Sequence, residues 1–150
     1  MPGVIAAETK PSGGTSDFVP EMIHAAASGT AYDCFVREDA CIPWMTMPEC
    51  IDSILKIGQV DASCLSQSVY NVASFRATAG EVAAVLRRSF PDTQIDFVVD
   101  EDRQGIVDSW PMDVDCTKAI TDWGYKPRWT LEEAFDEYLV PSIRNHYAQA

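Results

Sequence analysis

The segment Lys10–Phe18, with the sequence KPSGGTSDF, contains the residues best suited to binding a small ligand. Its Pro-Ser-Gly-Gly stretch is typical of a loop, and Thr15, Ser16 and Asp17 can cap the helix that follows. Glycines before a helix start present backbone N–H groups to an anion, and the hydroxyls add further donors. Because Lys10 is the only nearby base, a carboxylate fits this loop better than a pyrophosphate. A capped loop without a ligand is the alternative interpretation.

Other kinds of chemistry find less support in the sequence. No Gly-x-x-Gly-x-x-Gly follows a strand, so the fingerprint of a dinucleotide site is missing. The five cysteines lack Cys-x-x-Cys spacing, and with only His24 and His146 beside them no zinc site can be assembled. We therefore predict no metal site, and we expect the thiols to be reduced, as in the cytosol or the mitochondrial matrix.

Size and charge limit the classes of partner. The chain has 150 residues, the size of one domain, and a net charge of −12, which opposes binding to nucleic acid or to an anionic membrane. No apolar run approaches the roughly 18 residues of a membrane span, and the sequence MPGVIAAETK lacks the features of a signal peptide. We expect a cytoplasmic protein, or a mitochondrial matrix protein if the source is a eukaryote.

Five segments have the apolar, β-branched and aromatic content of strands. The predicted strands are Met1–Ala7, Ala31–Val36, Ile42–Met45, Ser68–Ala73 and Gln94–Val99. The first and fourth are apolar on both faces, as in a parallel sheet covered by helices. Pro43 predicts that its strand lies at a sheet edge or that the proline begins the strand.

Helix boundaries are marked by capping residues. Thr78 and Thr130 are each followed three residues later by Glu, the capping-box pattern that begins a helix. Gly124 after Trp123 supplies the left-handed residue that ends one. The acidic run Asp100–Arg103 is interpreted as a solvated turn.

Another helix, with a proline in its first turn, begins at Met47. Ile51, Ile54 and Leu55 recur along it at helical spacing. Met45 and Met47 at its start are interpreted as core side chains.

The later part of the chain resembles a known family. The sequences D-C-T-K-A at 115–119, G-Y-K-P at 124–127 and L-E-E-A-F at 131–135 resemble the C-terminal end of extended short-chain dehydrogenases, and D-S-W-P at 108–111 narrows the resemblance to their L-threonine 3-dehydrogenases. The resemblance implies an α/β fold: the last strands of a Rossmann-type sheet plus the small α/β substrate-binding domain. Residues 1–150 would form the substrate-binding C-terminal part, without the N-terminal nucleotide-binding part.

The segment Lys10–Phe18 is similar to the P-G-G-G-T-T-D-Y substrate loop of that family. Ser12 replaces its first aligned glycine, and Ser16 replaces a threonine; both changes keep the loop chemistry. The resemblance implies that Gly14, Thr15 and Ser16 contact the substrate.

Two more site residues follow from the resemblance. The sequence R-Q-G-I-V-D-S-W at 103–110 is similar to a segment that packs beside the substrate loop, which implies that Trp110 closes over an amino acid. The P-G-V-I sequence at 2–5 matches the end of a central strand, which implies that Val4 contacts the nicotinamide of NAD.

The implied reaction converts L-threonine to 2-amino-3-oxobutyrate, with NAD taking hydride from Cβ and a Tyr of a Tyr-x-x-x-Lys motif removing the hydroxyl proton. That motif is missing here, so the resemblance implies no catalytic residue in this chain, and we expect the chain alone to be inactive. Strands left without neighbours predict self-association or dependence on the N-terminal half.

Two other functions stay open. A sugar-nucleotide epimerase or dehydratase shares the superfamily, but its substrate half clamps a pyrophosphate with Arg or Lys, and here Lys10 supplies one base at most. The other is a non-enzymatic, truncated binding module.

Overall fold

The structure is a computed structural model that describes residues 2–149. In chain order its elements are β1 (Gly3–Ile5), α1 (Phe18–Ser28), β2 (Tyr32–Cys34), β3 (Cys41–Thr46), α2 (Met47–Gly58), a 3₁₀ turn (Ala62–Cys64), β4 (Phe75–Thr78), α3 (Ala79–Ser89), β5 (Ile95–Phe97), α4 (Glu101–Asp108), α5 (Thr117–Trp123), α6 (Leu131–Ala134), a π-helical turn (Phe135–Leu139) and α7 (Val140–Ala148). None of these helices is long and apolar enough to cross a membrane.

The strands form two small sheets. In the first, the order is β1-β3-β4, with β1 parallel and β4 antiparallel to the central β3. In the second, β2 and β5 lie parallel. Helix α1 packs against β2, α3 and α7, so the expected α/β architecture is confirmed.

The main core joins the three-stranded sheet to the helices. The Phe18 ring of α1 meets Trp44 of β3 edge-on, with ring centroids 5.3 Å apart, and both side chains are fully buried. Gly3 lies so close to the Trp44 ring that a Cβ at this position would come within 2.4 Å of a ring carbon. Glycine is therefore required where β1 crosses the face of the tryptophan.

Four of the five predicted strands are present: three are shorter than predicted, and β3 (Cys41–Thr46) extends one residue beyond each end of the predicted Ile42–Met45. Met1, which was included in the first one, lies outside the described residues. The prediction of a strand at Ser68–Ala73 is wrong. Strand β4 begins only at Phe75, and among residues 2–149 no strand pairs with residues 68–73. Its backbone is bonded to side chains instead, since the Tyr125 hydroxyl donates to the Ala73 carbonyl at 2.9 Å. Tyr70 and Val72 pack near Trp123 rather than in a sheet.

The prediction from Pro43 is also wrong, because it is the third residue of the central strand. The Ala79 N–H donates to the Ala40 carbonyl at 3.0 Å. In an antiparallel ladder, alternate residues point their backbone N–H and C=O groups toward the partner strand. Because residue 40 points toward β4, residue 43 points its nitrogen to the opposite side, toward β1. Pairing with β1 starts at Trp44, so the N–H that proline lacks is not needed.

The capping predictions are confirmed. Thr78 and Thr130 both form complete capping boxes with the glutamates three residues on. Gly124 has a φ of 66° and ends α5. The turn predicted at Asp100–Arg103 is wrong: the Asp100 carboxylate accepts N–H bonds from residues 102 and 103 and so starts α4.

Helix α2 also starts with a capping box, in which the Glu49 carboxylate accepts a hydrogen bond from the Thr46 N–H. The apolar residues of this helix do not face the core. Met45 is buried as predicted. Met47 is 37% exposed, so its assignment to the core is wrong. Ile51, Ile54 and Leu55 are 48%, 64% and 58% exposed. They form an apolar surface that the described residues leave uncovered.

Candidate functional site

The loop before α1 is organised by the side chain of Asp17. One of its carboxylate oxygens accepts N–H bonds from Ser12, Gly13 and Gly14, at 3.1, 3.1 and 2.7 Å. The positive φ of 91° at Gly13 and a turn from Gly14 to Asp17 allow this closure. The expectation of free amide donors is therefore wrong for these three residues, since an internal carboxylate already occupies them.

The far side of the loop is held by helix α4. The guanidinium of Arg103 donates to the Gly14 carbonyl at 2.9 Å and lies over the Phe35 ring, 3.1 Å from its centroid. The segment 103–110 thus lies beside the loop, as expected from the sequence. Arg103 therefore links α4 to the loop and to Phe35.

The position of α4 is fixed from its other end. Gln104 is 1% exposed; its side chain accepts from the Arg37 N–H and donates to Asp108, both at 2.7 Å. The Arg37 guanidinium makes two bonds to Asp108, at 2.8 and 3.1 Å. The Arg37 side chain first, and then Gln104, lower the pKa of Asp108 below its usual range. These contacts set where the chain leaves α4, and Trp110 follows directly.

Two predicted site residues meet in one cleft. A cleft of about 270 Å³ is lined by Pro2, Gly3, Ser16, Ile42, Pro43, Trp110 and Pro111. Ser16 and Trp110, predicted from segments almost a hundred residues apart, therefore face the same space. Gly14 and Thr15 belong to the adjoining loop but do not line the cleft. Val4 is half-buried in β1, next to Gly3, and pairs with Met45.

The cleft can hold and shield a small molecule but offers no acid or base of its own. None of its lining residues is charged, and its walls are mostly proline, isoleucine and tryptophan. The Ser16 hydroxyl can donate or accept, and the Trp110 indole can donate. The buried thiol of Cys34 is not a nucleophile, because burial raises its pKa to about 11.

Strand β1 offers an apolar surface of the kind a nicotinamide ring could contact. This strand lies at the edge of its sheet, and Val4 is half-buried there, so an apolar ring could pack against it. The one glycine-containing loop beside it has its amides bound to Asp17, so the described residues leave no free amide cradle there for a pyrophosphate. The described residues therefore offer an apolar contact for a ring at Val4 and no free amide cradle beside it.

Sequence reasoning missed the structural roles of Asp17 and Arg103. The signal for Asp17 was local: a carboxylate three to five residues after a glycine-rich turn can reach back to the turn amides. Arg103 carried a weaker signal, because its partners Gly14 and Phe35 lie far from it in the sequence.

Comparison with known proteins first defines the class. No protein-family model matches the chain. A UDP-glucuronic acid 4-epimerase from Bacillus cereus, solved in complex with UDP-glucuronic acid and NAD, superposes with a TM-score of 0.71 at 14% identity, over 98% of this chain and 43% of that one. At this identity the likeness shows the fold alone: the chain has the fold of part of an extended short-chain dehydrogenase.

More similar proteins define the branch. The mitochondrial L-threonine 3-dehydrogenase of Bos taurus is 34% identical over 146 residues, which are 97% of this chain and 38% of the relative. The L-threonine 3-dehydrogenase of Trypanosoma brucei superposes with a TM-score of 0.91 at 28% identity, over 99% of this chain and 46% of that one. A GalE-like L-threonine dehydrogenase from Cupriavidus necator superposes with a TM-score of 0.88 at 36% identity, over 93% of this chain and 50% of that one.

The chain thus spans 38% to 50% of the length of these three proteins. Over nearly its whole length it corresponds to the C-terminal part of L-threonine 3-dehydrogenases, which are enzymes of the extended short-chain dehydrogenase and epimerase superfamily.

Proposed function

We propose that this chain is the substrate-binding part of an NAD-dependent L-threonine 3-dehydrogenase, which converts L-threonine to 2-amino-3-oxobutyrate. The supporting observation is the meeting of Ser16 and Trp110 in one small uncharged cleft. The similarity to the L-threonine 3-dehydrogenases of Bos taurus and Trypanosoma brucei, which extends over 97% and 99% of the chain, supports the same proposal.

The chain's own residues position the substrate and exclude water. Ser16 orients the polar end of L-threonine through its hydroxyl, with Gly14 and Thr15 shaping the loop beside it. Trp110 covers the substrate and lowers the water content of the cleft. Val4 packs near the nicotinamide end of NAD. When bound, NAD supplies the acceptor for the hydride from Cβ.

Proton transfer must come from outside this chain. None of the residues lining the cleft is a titratable group, and none of the five tyrosines has a lysine four residues later. We therefore propose that a separate nucleotide-binding half supplies the general base, and that the chain alone is inactive. The compartment proposed is the cytosol, or the mitochondrial matrix in a eukaryote.

The contacts of Arg103 argue against a sugar-nucleotide substrate. A pyrophosphate needs arginine or lysine side chains, whereas Arg103 is engaged by the Gly14 carbonyl and the Phe35 ring. The cleft itself has no charged lining residue.

The test is a ligand titration followed by NMR on a complete enzyme that carries this segment in isotopically labelled form, because the chain alone is expected to associate or to fold only with a nucleotide-binding half. L-threonine should shift the backbone signals of Gly14–Ser16 and the indole N–H of Trp110, and Ser16→Ala should weaken that response. Ser12→Ala is the matched control, because it removes a loop hydroxyl outside the cleft lining. Shifts produced by UDP or UDP-glucose but not by threonine would favour the epimerase alternative. Silence with every ligand would favour a module without this binding function.

A further inference from the structure

A buried glutamine joins two chain segments that both lead into the lining of the cleft. Gln104 lies in α4 and is 1% exposed. Its Oε1 accepts from the N–H of Arg37 at 2.7 Å, and its Nε2 donates to the carboxylate of Asp108, also at 2.7 Å. Arg37 begins the turn before β3, and Asp108 is the last residue of α4. One side chain therefore ties the entry of a strand to the exit of a helix.

The two partners fix which way the amide of Gln104 points. A backbone N–H can only donate and an ionised carboxylate can only accept, so the amide oxygen must face Arg37 and the amide nitrogen must face Asp108. The reversed amide would place two donors together at one end and two acceptors together at the other. The position therefore requires a side chain that carries both an acceptor and a donor.

The contacts converge on the carboxylate of Asp108. Its Oδ1 accepts from Gln104 and from the guanidinium of Arg37, at 2.7 and 2.8 Å, and its Oδ2 accepts from the same guanidinium at 3.1 Å. The charged pair is half-exposed, and an ion pair in contact with water contributes little by itself. The buried amide of Gln104 is the part of the contact that is shielded from water.

The turn at Arg37 leads into one part of the cleft lining. The Ala40 N–H donates to the Arg37 carbonyl at 3.0 Å, and β3 begins directly after this turn. Ile42 and Pro43, the second and third residues of β3, line the cleft. A shift of Arg37 relative to α4 would therefore move this part of the lining.

The end of α4 leads into another part of the lining. The Trp110 N–H donates to the Val107 carbonyl at 3.0 Å, so the chain leaves the helix in a turn that brings Trp110 to the cleft. The loop that carries Ser16 is held by the same helix through Arg103. Helix α4 thus connects these parts of the lining, and Gln104 is its buried contact to the turn before β3.

We propose that Gln104 is a positioning residue: by joining the end of α4 to the turn before β3, it fixes where Trp110 lies in the cleft. Gln104 is not among the residues that line the cleft, so it acts through Trp110 rather than on a ligand. That the cleft holds L-threonine rests on the proposed function; the positioning of Trp110 does not.

The test uses a complete enzyme that carries this segment, with its tryptophans labelled by ¹⁵N at the indole nitrogen. Gln104→Met keeps the length of the side chain and removes both hydrogen bonds. The indole signal of Trp110, identified by its absence from the Trp110→Ala spectrum, should shift or broaden in this variant. The other tryptophans of the segment, such as the fully buried Trp44, should keep their signals, which separates a local change from loss of folded structure.

Two further variants complete this measurement. Asp108→Ala removes the other end of the same hydrogen bond at a half-exposed position, so it should move the Trp110 signal too, and it provides the test if Gln104→Met does not fold. Gln94→Met is the matched control, because it makes the same substitution at an exposed glutamine. It should leave the Trp110 signal in place.

Kinetics with L-threonine and NAD give a second readout. Gln104→Met should lower kcat/KM for L-threonine about tenfold through a raised KM, with the KM for NAD unchanged. A merely structural role would instead reduce the amount of active enzyme, which lowers kcat and leaves both KM values as they are. In the Trp110→Ala background, Gln104→Met should cause no further loss in kcat/KM, because its effect passes through that side chain.

Several results would overturn the proposal. These are a Trp110 signal that is unchanged in both Gln104→Met and Asp108→Ala, an equal change in Gln94→Met, normal L-threonine kinetics in Gln104→Met while Trp110→Ala is impaired, or a full additional loss from Gln104→Met in the Trp110→Ala background. If the Trp110 signal moves as expected but neither Gln104→Met nor Trp110→Ala alters the kinetics with L-threonine, then the positioning stands and the assignment of the cleft to this substrate fails.

Discussion

The uncovered apolar surface of α2 leads to the prediction that the isolated chain associates with itself unless a nucleotide-binding half covers it. Met47, Ile51, Ile54 and Leu55 are between 37% and 64% exposed, which together amounts to about two fully exposed side chains. Burying a side chain of this size stabilises by about 1.5–3 kcal/mol, so covering the surface is worth about 3–6 kcal/mol. That is comparable to the whole stability of a small domain.

The open edge of β1 adds to the tendency of the chain to associate with itself. This strand pairs only with β3 within the described residues, and its parallel pairing is of the kind usually buried on both sides. We therefore expect association, partial unfolding, or folding only together with the missing half. Sedimentation and light scattering over a range of concentrations, with a thermal melt followed by circular dichroism, would measure it.

The decisive perturbation is the double variant Ile54→Glu, Leu55→Lys. These two residues supply more than half of the exposed apolar area, so the change should weaken association by about 30-fold to 1000-fold, or about 2–4 kcal/mol. The melt should not worsen, because neither side chain is buried. Val98→Lys with Ile106→Glu is the matched control: these residues are 59% and 47% exposed, and Ile106 lies on α4.

The reasoning would be refuted by a wild-type chain that is monomeric at every concentration, melts cooperatively and protects the amides of Gly3–Ile5 strongly. Such a chain would be a self-sufficient domain. Equal association of the α2 variant and the wild type would instead locate the contact elsewhere, for example at the β1 edge.

The remaining predictions concern the site. The chain without a partner should show no NAD-dependent oxidation of L-threonine, because loss of a general base alone costs about two to four orders of magnitude; NADH formation above background would contradict this. In a complete enzyme carrying this segment, Ser16→Ala and Trp110→Ala should each cost about 1–3 kcal/mol in kcat/KM with NAD affinity unchanged. Lost NAD binding with normal threonine kinetics would show that the loop is misassigned. Asp17→Ala should speed amide exchange at residues 12–14 about tenfold, since three donors lose their acceptor; the exposed Asp33→Ala is the control, and equal exchange would disprove the role of Asp17.

The sequence predicts those features whose causes are local. The capping boxes at Thr78 and Thr130 and the left-handed Gly124 were predictable because the side chain, the amide and the turn lie within a few residues of one another. Ser16 and Trp110 were predicted through resemblance, and the structure brings both to one cleft, though their contact with substrate stays a proposal.

Features that depend on a distant partner were predicted less well. The segment Ser68–Ala73 has the residue content of a strand, but residue content cannot supply a neighbouring strand to pair with it. Pro43 was placed at an edge because proline lacks a donor, yet the structure avoids the loss through the staggered start of β1. For Ile54 and Leu55, periodicity correctly gives a helix without showing what covers its apolar residues.

The loop Lys10–Phe18 illustrates how residues away from a cleft can set its shape. The loop backbone is held by Asp17 at its own C-terminal end and by Arg103 of α4, and the residue before it, Thr9, is held by His24 of α1, which also contacts Tyr147 of α7. Each attachment acts on the backbone of the loop, so none needs to contact a ligand to change where Ser16 lies. Under the proposed function, substitutions at these positions should therefore alter how well a substrate is held and oriented, whereas the proton and hydride transfers would depend on groups outside this chain.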